Sequence, residues 1–307
     1  MDTRQLEYFV AVAEELNFTR ASARLFAAQS TVSAGIRSLE RELGAAVFDR
    51  STKAVSLTAA GTALLPEARN AIEALDRVRS SVAPGDGGLR GRLRIGTFIG
   101  LDAVQLPQVL GIFHTRHPLV DLQLIVSPSG STGLADDVRH GRADLAFTGL
   151  PHHELAAFNV LEVARSPFVA ILPVGHPFAA QRAVKLVDLV AERWIDSPPG
   201  YASRVVFDRV LADSGLTRVI SAEVGDAGEA PKLVAAGLGI AVIPEIIFRA
   251  APGVVVRPLA DPDIKLVLSV ISRPNPTPAA TAFLDLISHQ AISAAVPVGS
   301  KPEARTL

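Results

Sequence analysis

The stretch AAQSTVSAGIRSLERELG, residues 27–44, carries one apolar and one polar set of side chains at helical spacing. Each set recurs every three or four positions, so each lies along one side of an α-helix. Hydroxyl and guanidinium groups along one side can hydrogen-bond to base edges and phosphate oxygens. The same pattern fits a helix whose polar face only contacts water, and spacing alone leaves both interpretations open. The apolar set is Val32, Ile36, Leu39 and Leu43, and the polar set is Ser30, Ser33, Arg37 and Arg41.

Charge around this helix is positive, although the chain as a whole is nearly neutral. The 307 residues include 30 Lys+Arg and 31 Asp+Glu, a net charge of -1, so the total favours neither nucleic acid nor a membrane surface. From Leu16 to Ala60, however, six bases stand against three acids, which gives a local charge of +3. A local excess of this kind suits the phosphate backbone of DNA. The six bases are Arg20, Arg24, Arg37, Arg41, Arg50 and Lys53.

Two helices are predicted before this stretch. Apolar residues at helical spacing predict a first helix from near Thr3 to near Glu15. A second, shorter helix runs to Leu25, and the side chain of Asn17 or Thr19 can accept hydrogen bonds from its first turn.

A tight turn at 26–28 then leads into the amphipathic helix, which Gly44 ends because glycine readily adopts the left-handed conformation. Two short helices joined by a tight turn form a helix-turn-helix. After it, alternating residues flank a polar turn at 50–53 and predict a two-stranded hairpin, or wing, with Arg50 and Lys53 at its tip.

Residues 59–83 predict one long helix with a narrow apolar stripe, capped by Thr58 and bent at Pro66. A helix of this length with no core of its own favours a partner, so we expect it to form a dimer by packing against its copy. The glycine-rich stretch PGDGGLRG within 84–92 predicts a flexible hinge. These features assign 1–58 to a winged helix-turn-helix domain, followed by a dimerisation helix and a hinge.

From Leu93 onwards, short apolar runs alternate with helical windows, which predicts two Rossmann-like α/β lobes. We assign 93–163 and 269–295 to the first lobe and 164–268 to the second. The predicted fold class is therefore α/β with an all-α, winged N-terminal domain. Ligands of such folds lie at the carboxyl ends of strands, where helix N-termini present N–H groups to anions. We expect a small-molecule site there, in a partly apolar cleft suited to an anion or carboxylate.

Several stretches together resemble LysR-type transcriptional regulators. LEYFVAVAEELNFTRASARL, QSTVSAGIRSLERELG and VFDRSTKAVSLTAAG are similar to the winged helix-turn-helix of that family. LRIG, VRHGRADLAF and EVGDAGEAPKLVAAGLGIAVIP are similar to its two-lobed effector domain, which resembles a periplasmic binding protein. The resemblance covers nearly the full chain. It implies DNA contacts from Gln29, Ser30, Thr31, Ser33, Ala34 and Arg37 on the recognition helix and from Arg50 and Lys53 on the wing, to which the local charge adds Arg20.

The resemblance also implies the working assembly. A regulator of this family binds double-stranded promoter DNA in the cytoplasm as a dimer of dimers, a homotetramer, and changes its DNA contacts when an effector binds; RNA polymerase is a further partner of this kind of protein. Family positions that line the effector pocket fall on Ile99, Gly100, Ser131, Thr148 and Ser203. Strand ends and charge add Thr97, Ser129, Tyr201, Arg204 and Asp226. Arg204 can hold a carboxylate bidentately, although a surface charge on a helix is the alternative for it.

The recognition helix departs from the family pattern at three positions. Ala28 stands where a capping serine is common, a change that costs about 1 kcal/mol of helix stability. Gly35 lies inside the helix and costs about 0.5 to 1 kcal/mol relative to alanine. Ala34 stands where a larger polar residue is frequent. We expect a looser helix that still binds DNA.

Other classes of protein receive less support from the sequence. With no cysteine, the chain has no disulfide and no thiolate site, and its histidine pairs lack a recognisable metal spacing, so we expect neither cofactor nor metal. The N-terminus lacks a signal peptide, and no run of about 18 apolar residues predicts a membrane span. No nucleophile elbow or placed carboxylate pair supports an enzyme. The main alternative is a two-lobed solute-binding protein without regulatory DNA binding.

Overall fold

The computed structural model describes residues 1–49, 55–81, 88–98, 105–260 and 264–294. The chain divides into two compact units. The N-terminal unit contains 1–91 with 140–142, and the C-terminal unit contains 92–139 and the chain from 143 onwards. In the part of the chain that is described, no helix has both the length and the apolar content needed to cross a bilayer.

The N-terminal unit is the predicted helix-turn-helix followed by a hairpin and a long helix. Its elements are α1 (Thr3–Glu15), α2 (Phe18–Arg24), α3 (Gln29–Leu43), β1 (Phe48–Asp49), β2 (Ser56–Leu57) and α4 (Ala59–Ser81). The Asn17 side chain accepts hydrogen bonds from two N–H groups of α2, and Gly44 ends α3 at φ 68°. β1 and β2 pair antiparallel, as the wing requires. The tip, with Arg50 and Lys53, lies outside the described residues, as do 82–87 of the predicted hinge.

The first half of α4 belongs to the core of this unit. Leu64, Leu65, Ala68 and Ile72 pack against the buried side chains of the helix-turn-helix, including Phe9 and Ile36. The expectation that the long helix has no core of its own is therefore wrong for this half. Further along, Leu75 is 38% and Val78 is 60% exposed. The apolar surface that a second copy would cover is thus confined, among the described residues, to the later turns.

The C-terminal unit is built on one mixed sheet with helices packed against it. Its strands are β3 (Arg90–Thr97), β4 (Leu119–Val126), β5 (Leu145–Thr148), β6 (Asn159–Pro173), β7 (Arg193–Asp196), β8 (Val219–Glu223), β9 (Ile240–Pro244), β10 (Val254–Pro258) and β11 (Lys265–Ser272). Its helices are α5 (Leu106–Arg116), α6 (Gly130–Arg139), α7 (Leu186–Leu189), α8 (Ala202–Asp213), α9 (Ala230–Ala235) and α10 (Pro278–Ala294). The strand order is β4-β3-β5-β11-β6-β9-β7-β8, with β10 paired to β6.

Two strands connect the halves of this sheet. The first part of β6 pairs antiparallel with β11, and its later residues pair with β9 in the second lobe. The end of β11 pairs with β5 in the first lobe, after a bulge between Leu268 and Ser269. The predicted boundary between the lobes falls at this bulge. The boundaries of the two lobes stay predictions.

Three elements differ from the sequence-based expectation. β6 begins at Asn159, nine residues before the apolar run FVAILPV, residues 168–174, that indicates a strand in the sequence; its first part mixes exposed and half-buried residues and so lacks a continuous apolar run. β10 was not predicted. The stretch SPSGSTG, residues 127–133, whose glycines and serines indicate a turn, is a turn only as far as Ser129, and α6 begins at Gly130 with φ 57°.

Candidate DNA-binding surface and ligand cavity

One face of α3 is buried in the N-terminal unit and the other is exposed. Val32, Ile36 and Leu39 have no exposed surface. The predicted DNA-contacting residues lie on the opposite side: Gln29, Ser30, Thr31, Ala34 and Arg37 are exposed, and Ser33 is half-buried. Packing therefore presents the first two turns of the helix, the part that enters the major groove in helix-turn-helix proteins, as a polar surface.

The start of α3 lacks a side-chain cap. Ala28 occupies the N-cap position, and no side-chain hydrogen bond satisfies the first turn. The backbone carbonyl of Ala28 accepts from the N–H of Thr31 at 3.0 Å instead. The missing serine thus leaves N–H groups of the first turn without a side-chain acceptor.

Gly35 has a packing role that the sequence did not reveal. A Cβ atom built on Gly35 would lie 2.5 Å from Cδ2 and 3.0 Å from Cε2 of Tyr8, whose side chain is buried. The aromatic ring of α1 therefore packs directly on the backbone of α3. The expectation that this glycine loosens the helix considers only local propensity, whereas the close approach stabilises the position of the recognition helix.

The cations near this surface differ in their pairing. Arg20, predicted from charge to contact DNA, binds Glu15 through a side-chain contact of 3.3 Å and a hydrogen bond to its carbonyl. Arg37 has no ion-pair partner among the described residues, so its charge is available to a ligand. Arg4 of α1 lines the same shallow groove as Ser30 and was not predicted. Its spacing within α1 carried no signal, since only packing brings it beside α3.

The wing is attached to α3 through the backbone. The Glu40 carboxylate accepts hydrogen bonds from the N–H groups of Val47, at 3.0 Å, and Phe48, at 3.5 Å. The Thr58 hydroxyl donates to the carbonyl of Ala46 at 2.7 Å and accepts from the N–H of Gly61 at 3.0 Å. These bonds hold β1 at a defined place beside the recognition helix and the start of α4.

A buried ion pair joins α1 to α4. The Glu14 carboxylate contacts Arg24 at 2.5 Å and Arg69 at 2.9 Å, and the Arg69 side chain is only 6% exposed. Burial raises the pKa of Glu14, but the hydrogen bonds and charges of the two arginines outweigh it, so this pKa lies below its ordinary value. Glu14 is therefore ionised at neutral pH.

In the C-terminal unit, a cavity of about 60 Å³ lies where several strands end, and we call it the first cavity. The N-termini of α6 and α8 both reach it. Apolar and polar groups share its wall, with hydroxyls from Ser131 and Ser203. Its wall also includes Phe98, Gly149, Tyr201, Gly225, Asp226, Ile247, Arg249 and Leu266.

Tyr201 spans this cavity. A Cβ atom on Gly130 would lie 2.6 Å from Cδ2 of Tyr201, and one on Gly225 would lie 3.2 Å from its hydroxyl. The ring thus fits between Gly130, at the start of α6, and Gly225, after β8, two glycines that the predicted boundaries assign to different lobes. The N–H of Thr132 donates to the carbonyl of Gly200 at 3.0 Å, which adds a second link between the lobes at the same place.

An ion pair joins Asp226 and Arg249 in the wall of the first cavity, and of these two residues only Asp226 was predicted. Asp226 accepts from the N–H of Gly228 at 2.9 Å and contacts the Arg249 guanidinium at 2.9 Å. Arg249 lies flat over Gly228, where a Cβ atom would be 2.8 Å from Nη1. Arg249 lies in the largely apolar stretch EIIFRAAPG, residues 245–253, and no motif around it marks it as a binding residue.

Arg204 lies elsewhere and is held by carboxylates of its own chain. Its guanidinium contacts Asp208 at 3.0 Å and Glu223 at 2.9 Å. Burial lowers the pKa of Arg204, but these hydrogen bonds outweigh it and raise this pKa above its ordinary value. Arg218 extends the network to the buried Asp196 at the end of β7. The network stabilises the strand end beside the cavity, and Arg204 does not line the cavity wall.

The remaining predicted effector residues divide into three groups. Ser131, Tyr201, Ser203 and Asp226 line the first cavity. Thr97, Ser129 and Thr148 are not among its lining residues: the Thr148 hydroxyl accepts from the N–H of Leu150, and the Thr97 hydroxyl is buried without a hydrogen-bond partner among the described residues. Ile99 and Gly100 lie outside the described residues. Among the residues that the structure does describe, no group of three or more His, Asp or Glu side chains could hold a metal ion.

Two family models match the chain. The model described as bacterial regulatory helix-turn-helix protein, lysR family, matches residues 3–62, and the LysR substrate binding domain matches 86–291. The transcriptional regulator ShiR of Corynebacterium glutamicum is 37% identical over 244 residues, which cover 79% of this chain and 82% of ShiR.

Solved structures agree with these matches over nearly the whole chain. A full-length OxyR from Pseudomonas aeruginosa superimposes with a TM-score of 0.76 at 25% identity and covers 99% of both chains. Full-length CbnR in complex with its target DNA gives a TM-score of 0.60 at 25% identity, covering 94% of this chain and 100% of CbnR.

Proposed function

We propose that this chain, which belongs to the LysR family of bacterial transcriptional regulators, reads promoter DNA through the exposed face of α3 and senses a small organic anion in the first cavity. Its family membership makes it a regulator with a helix-turn-helix DNA-binding domain and an effector-binding domain, as predicted, rather than a solute-binding protein. The role that we assign to every site residue is binding, with no catalytic step. A regulator that contacts promoter DNA acts in the cytoplasm.

The observation that supports the DNA-reading surface is the separation of faces on α3. Short hydroxyl side chains at its first turn suit base edges, and Arg37 can bind a phosphate or a guanine bidentately. Arg50 and Lys53 of the wing stay predicted phosphate contacts. Two such surfaces, paired through the later turns of α4, suit an operator of two half-sites, and two dimers suit a tetramer on an interrupted palindrome.

The chemistry of the first cavity supports an anionic effector. Two helix N-termini and two serine hydroxyls favour a carboxylate, and the Arg249 guanidinium, which also pairs with Asp226 in the same wall, adds a positive charge beside them. Phe98, Ile247 and Leu266 offer an apolar surface for the remainder of the molecule. A cavity that holds benzene measures about 150 Å³. A ring-sized effector therefore requires Tyr201 or the lobes to move, which links binding to the conformation of the unit.

Effector binding is coupled to DNA binding if the movement of Tyr201 or the lobes alters the spacing of the recognition helices. Each state of the effector domain would set the angle between the paired α4 helices and thereby how the tetramer contacts and bends DNA. If a saturating effector left both the footprint and the DNA bend unchanged, this coupling would be refuted.

A footprint on the DNA flanking the protein's own gene tests the reading surface. We expect a protected, two-fold-related site that persists at near-physiological salt. Arg37→Ala should weaken protection about fivefold or more, because a specific base contact contributes about 1–3 kcal/mol. Lys53→Ala should lower the salt dependence by about one unit. Lys232→Ala, at an exposed cation of α9, is the matched control. If Arg37→Ala and Lys53→Ala bound the DNA site as tightly as the Lys232→Ala control, α3 and the wing would not be part of the DNA-binding surface.

A thermal-shift screen tests the effector chemistry. Small aromatic and aliphatic carboxylates are compared with the amides of the same acids, which keep shape but lose charge. We expect stabilisation by one or more acids and not by their amides, lost in Arg249→Gln and kept in Lys232→Gln. Stabilisation by the amides as strongly as by the acids would contradict an anion site.

A further inference from the structure

A second, larger cavity lies on the other side of the strands that connect the lobes. It has a volume of about 660 Å³, within the range of about 300–1,000 Å³ that is usual for ligand sites. Its walls are the 3₁₀ helix His152–Leu155, the middle of α8, and the facing parts of β6 and β11. We call it the second cavity. Among the residues lining the two cavities, only Gly149 is shared.

The floor of the second cavity is apolar and firmly packed. Leu150 and Leu155 are 4% and 1% exposed, so they form a rigid base. Val206 and Val210 of α8 and Val267 of β11 are half-buried and complete the apolar surface. An aromatic or branched aliphatic group placed here would remove apolar surface from water on both partners.

The rim carries an excess of positive charge. Arg165, Arg209 and Lys265 line the cavity, whereas Glu162 is the acid among its lining residues. The Glu162 carboxylate accepts two hydrogen bonds from the Arg165 guanidinium, one from Nε and one from Nη2 at 2.8 Å. Lys265 is exposed at the cavity and has no ion-pair partner among the described residues.

Arg209 contacts a histidine and, at a longer distance, an exposed carboxylate of its own helix. Its Nη1 lies 2.6 Å from Nε2 of His153, and the Asp213 carboxylate is 3.7 Å from Nε. The side chain remains 56% exposed. Two cations from different elements, Arg209 of α8 and Lys265 of β11, therefore stand at the rim over an apolar floor.

We propose that the second cavity is a ligand site of its own, for an amphipathic organic anion whose apolar group lies on the leucine and valine floor and whose charged group lies near Arg209 and Lys265. Its walls come from both lobes and from α8, the helix whose N-terminus reaches the first cavity. An occupant is thus placed to alter effector binding, a consequence that rests on the proposed function of the first cavity.

The experiment measures binding of anilinonaphthalene sulfonate, an aromatic anion whose fluorescence rises on leaving water, to the full-length chain. We expect saturable binding of one molecule per chain, weakened about fivefold by Arg209→Glu and by Lys265→Glu, since an exposed ion pair contributes up to about this factor. Lys232→Glu, outside both cavities, should leave affinity unchanged. Emission of Trp194, the sole tryptophan, checks the fold of each variant.

Arg249→Gln separates the two cavities. If it weakens dye binding while Arg209→Glu and Lys265→Glu do not, the dye occupies the first cavity and the proposal is overturned. Binding that does not saturate, or that all four variants leave unchanged, marks adventitious dye adsorption and also overturns it. Because this readout needs neither DNA nor an effector, a failed effector screen leaves it intact.

Discussion

Replacing Gly35 with alanine tests whether α1 holds the recognition helix by direct packing on its backbone. Helix propensity alone predicts that the change stabilises the protein by about 1 kcal/mol. In the structure, however, the new Cβ atom would lie 2.5 Å from a ring carbon of Tyr8, whereas carbon atoms pack at about 3.5–4.0 Å. The ring is 8% exposed and has little room to retreat. Overpacking of this kind costs about 1–3 kcal/mol.

We therefore expect Gly35→Ala to lower the free energy of unfolding by about 1 kcal/mol, opposite in sign to the propensity. Urea unfolding of the full chain followed by far-UV circular dichroism measures this change. Fluorescence of Trp194, which lies in the C-terminal unit, should report an unchanged transition for that unit. The variant should also weaken DNA binding, because α3 would shift relative to α1.

A double-mutant cycle supplies the control. In a Tyr8→Leu background the flexible side chain can move aside, so Gly35→Ala should become neutral or stabilising by up to about 1 kcal/mol. The sign of the effect thus depends on the ring alone. A stabilising effect of Gly35→Ala in the parent protein would refute the close-packing argument.

Three further changes have expected outcomes. Ala28→Ser should raise the free energy of unfolding of the N-terminal unit by about 1 kcal/mol in the same urea titration, because a hydroxyl can accept from the first turn of α3; no change would mean that the hydroxyl does not reach it. Glu14→Gln should cost about 1–2 kcal/mol at pH 7 by leaving buried Arg69 without its carboxylate. Because folding lowers the pKa of Glu14, its ionised carboxylate stabilises the protein above the unfolded pKa, and this stabilisation is lost as pH falls through the folded pKa. Urea titrations from pH 7 to about pH 3 should therefore show the unfolding free energies of the parent and the Glu14→Gln variant converging. A constant difference between these free energies would contradict the ion pair. Arg204→Gln should lower the thermal midpoint yet keep carboxylate binding in the thermal-shift screen, and loss of binding with an intact fold would return Arg204 to the site.

Local signals in the sequence predicted much of the N-terminal unit. Asn17 and Gly44 act through hydrogen bonds and φ angles within a few residues of themselves, so their roles are readable without any partner. The spacing of Val32, Ile36 and Leu39 likewise identified the buried face of α3. The start of β6 was harder to predict from the sequence, because the first part of this strand lacks the continuous apolar run that indicates a buried strand.

The candidate site shows where such reasoning ends. Ser131 and Ser203 were predicted because they follow strand ends at helix N-termini, a relation contained in the local order of elements. Arg204 and Arg249 have the same chemistry, and only the folded chain shows that one is bound by two of its own carboxylates while the other lines the cavity.

The sequence by itself determined which segments become helices and strands, where several of them end, and which family of regulators the chain resembles. These properties depend on periodicity and on contacts between near neighbours along the chain. The tertiary structure decided that Gly35 supports a ring from another helix, that α4 begins within the core, and which cations are already paired. Those outcomes depend on distances between residues far apart in sequence, which packing alone sets.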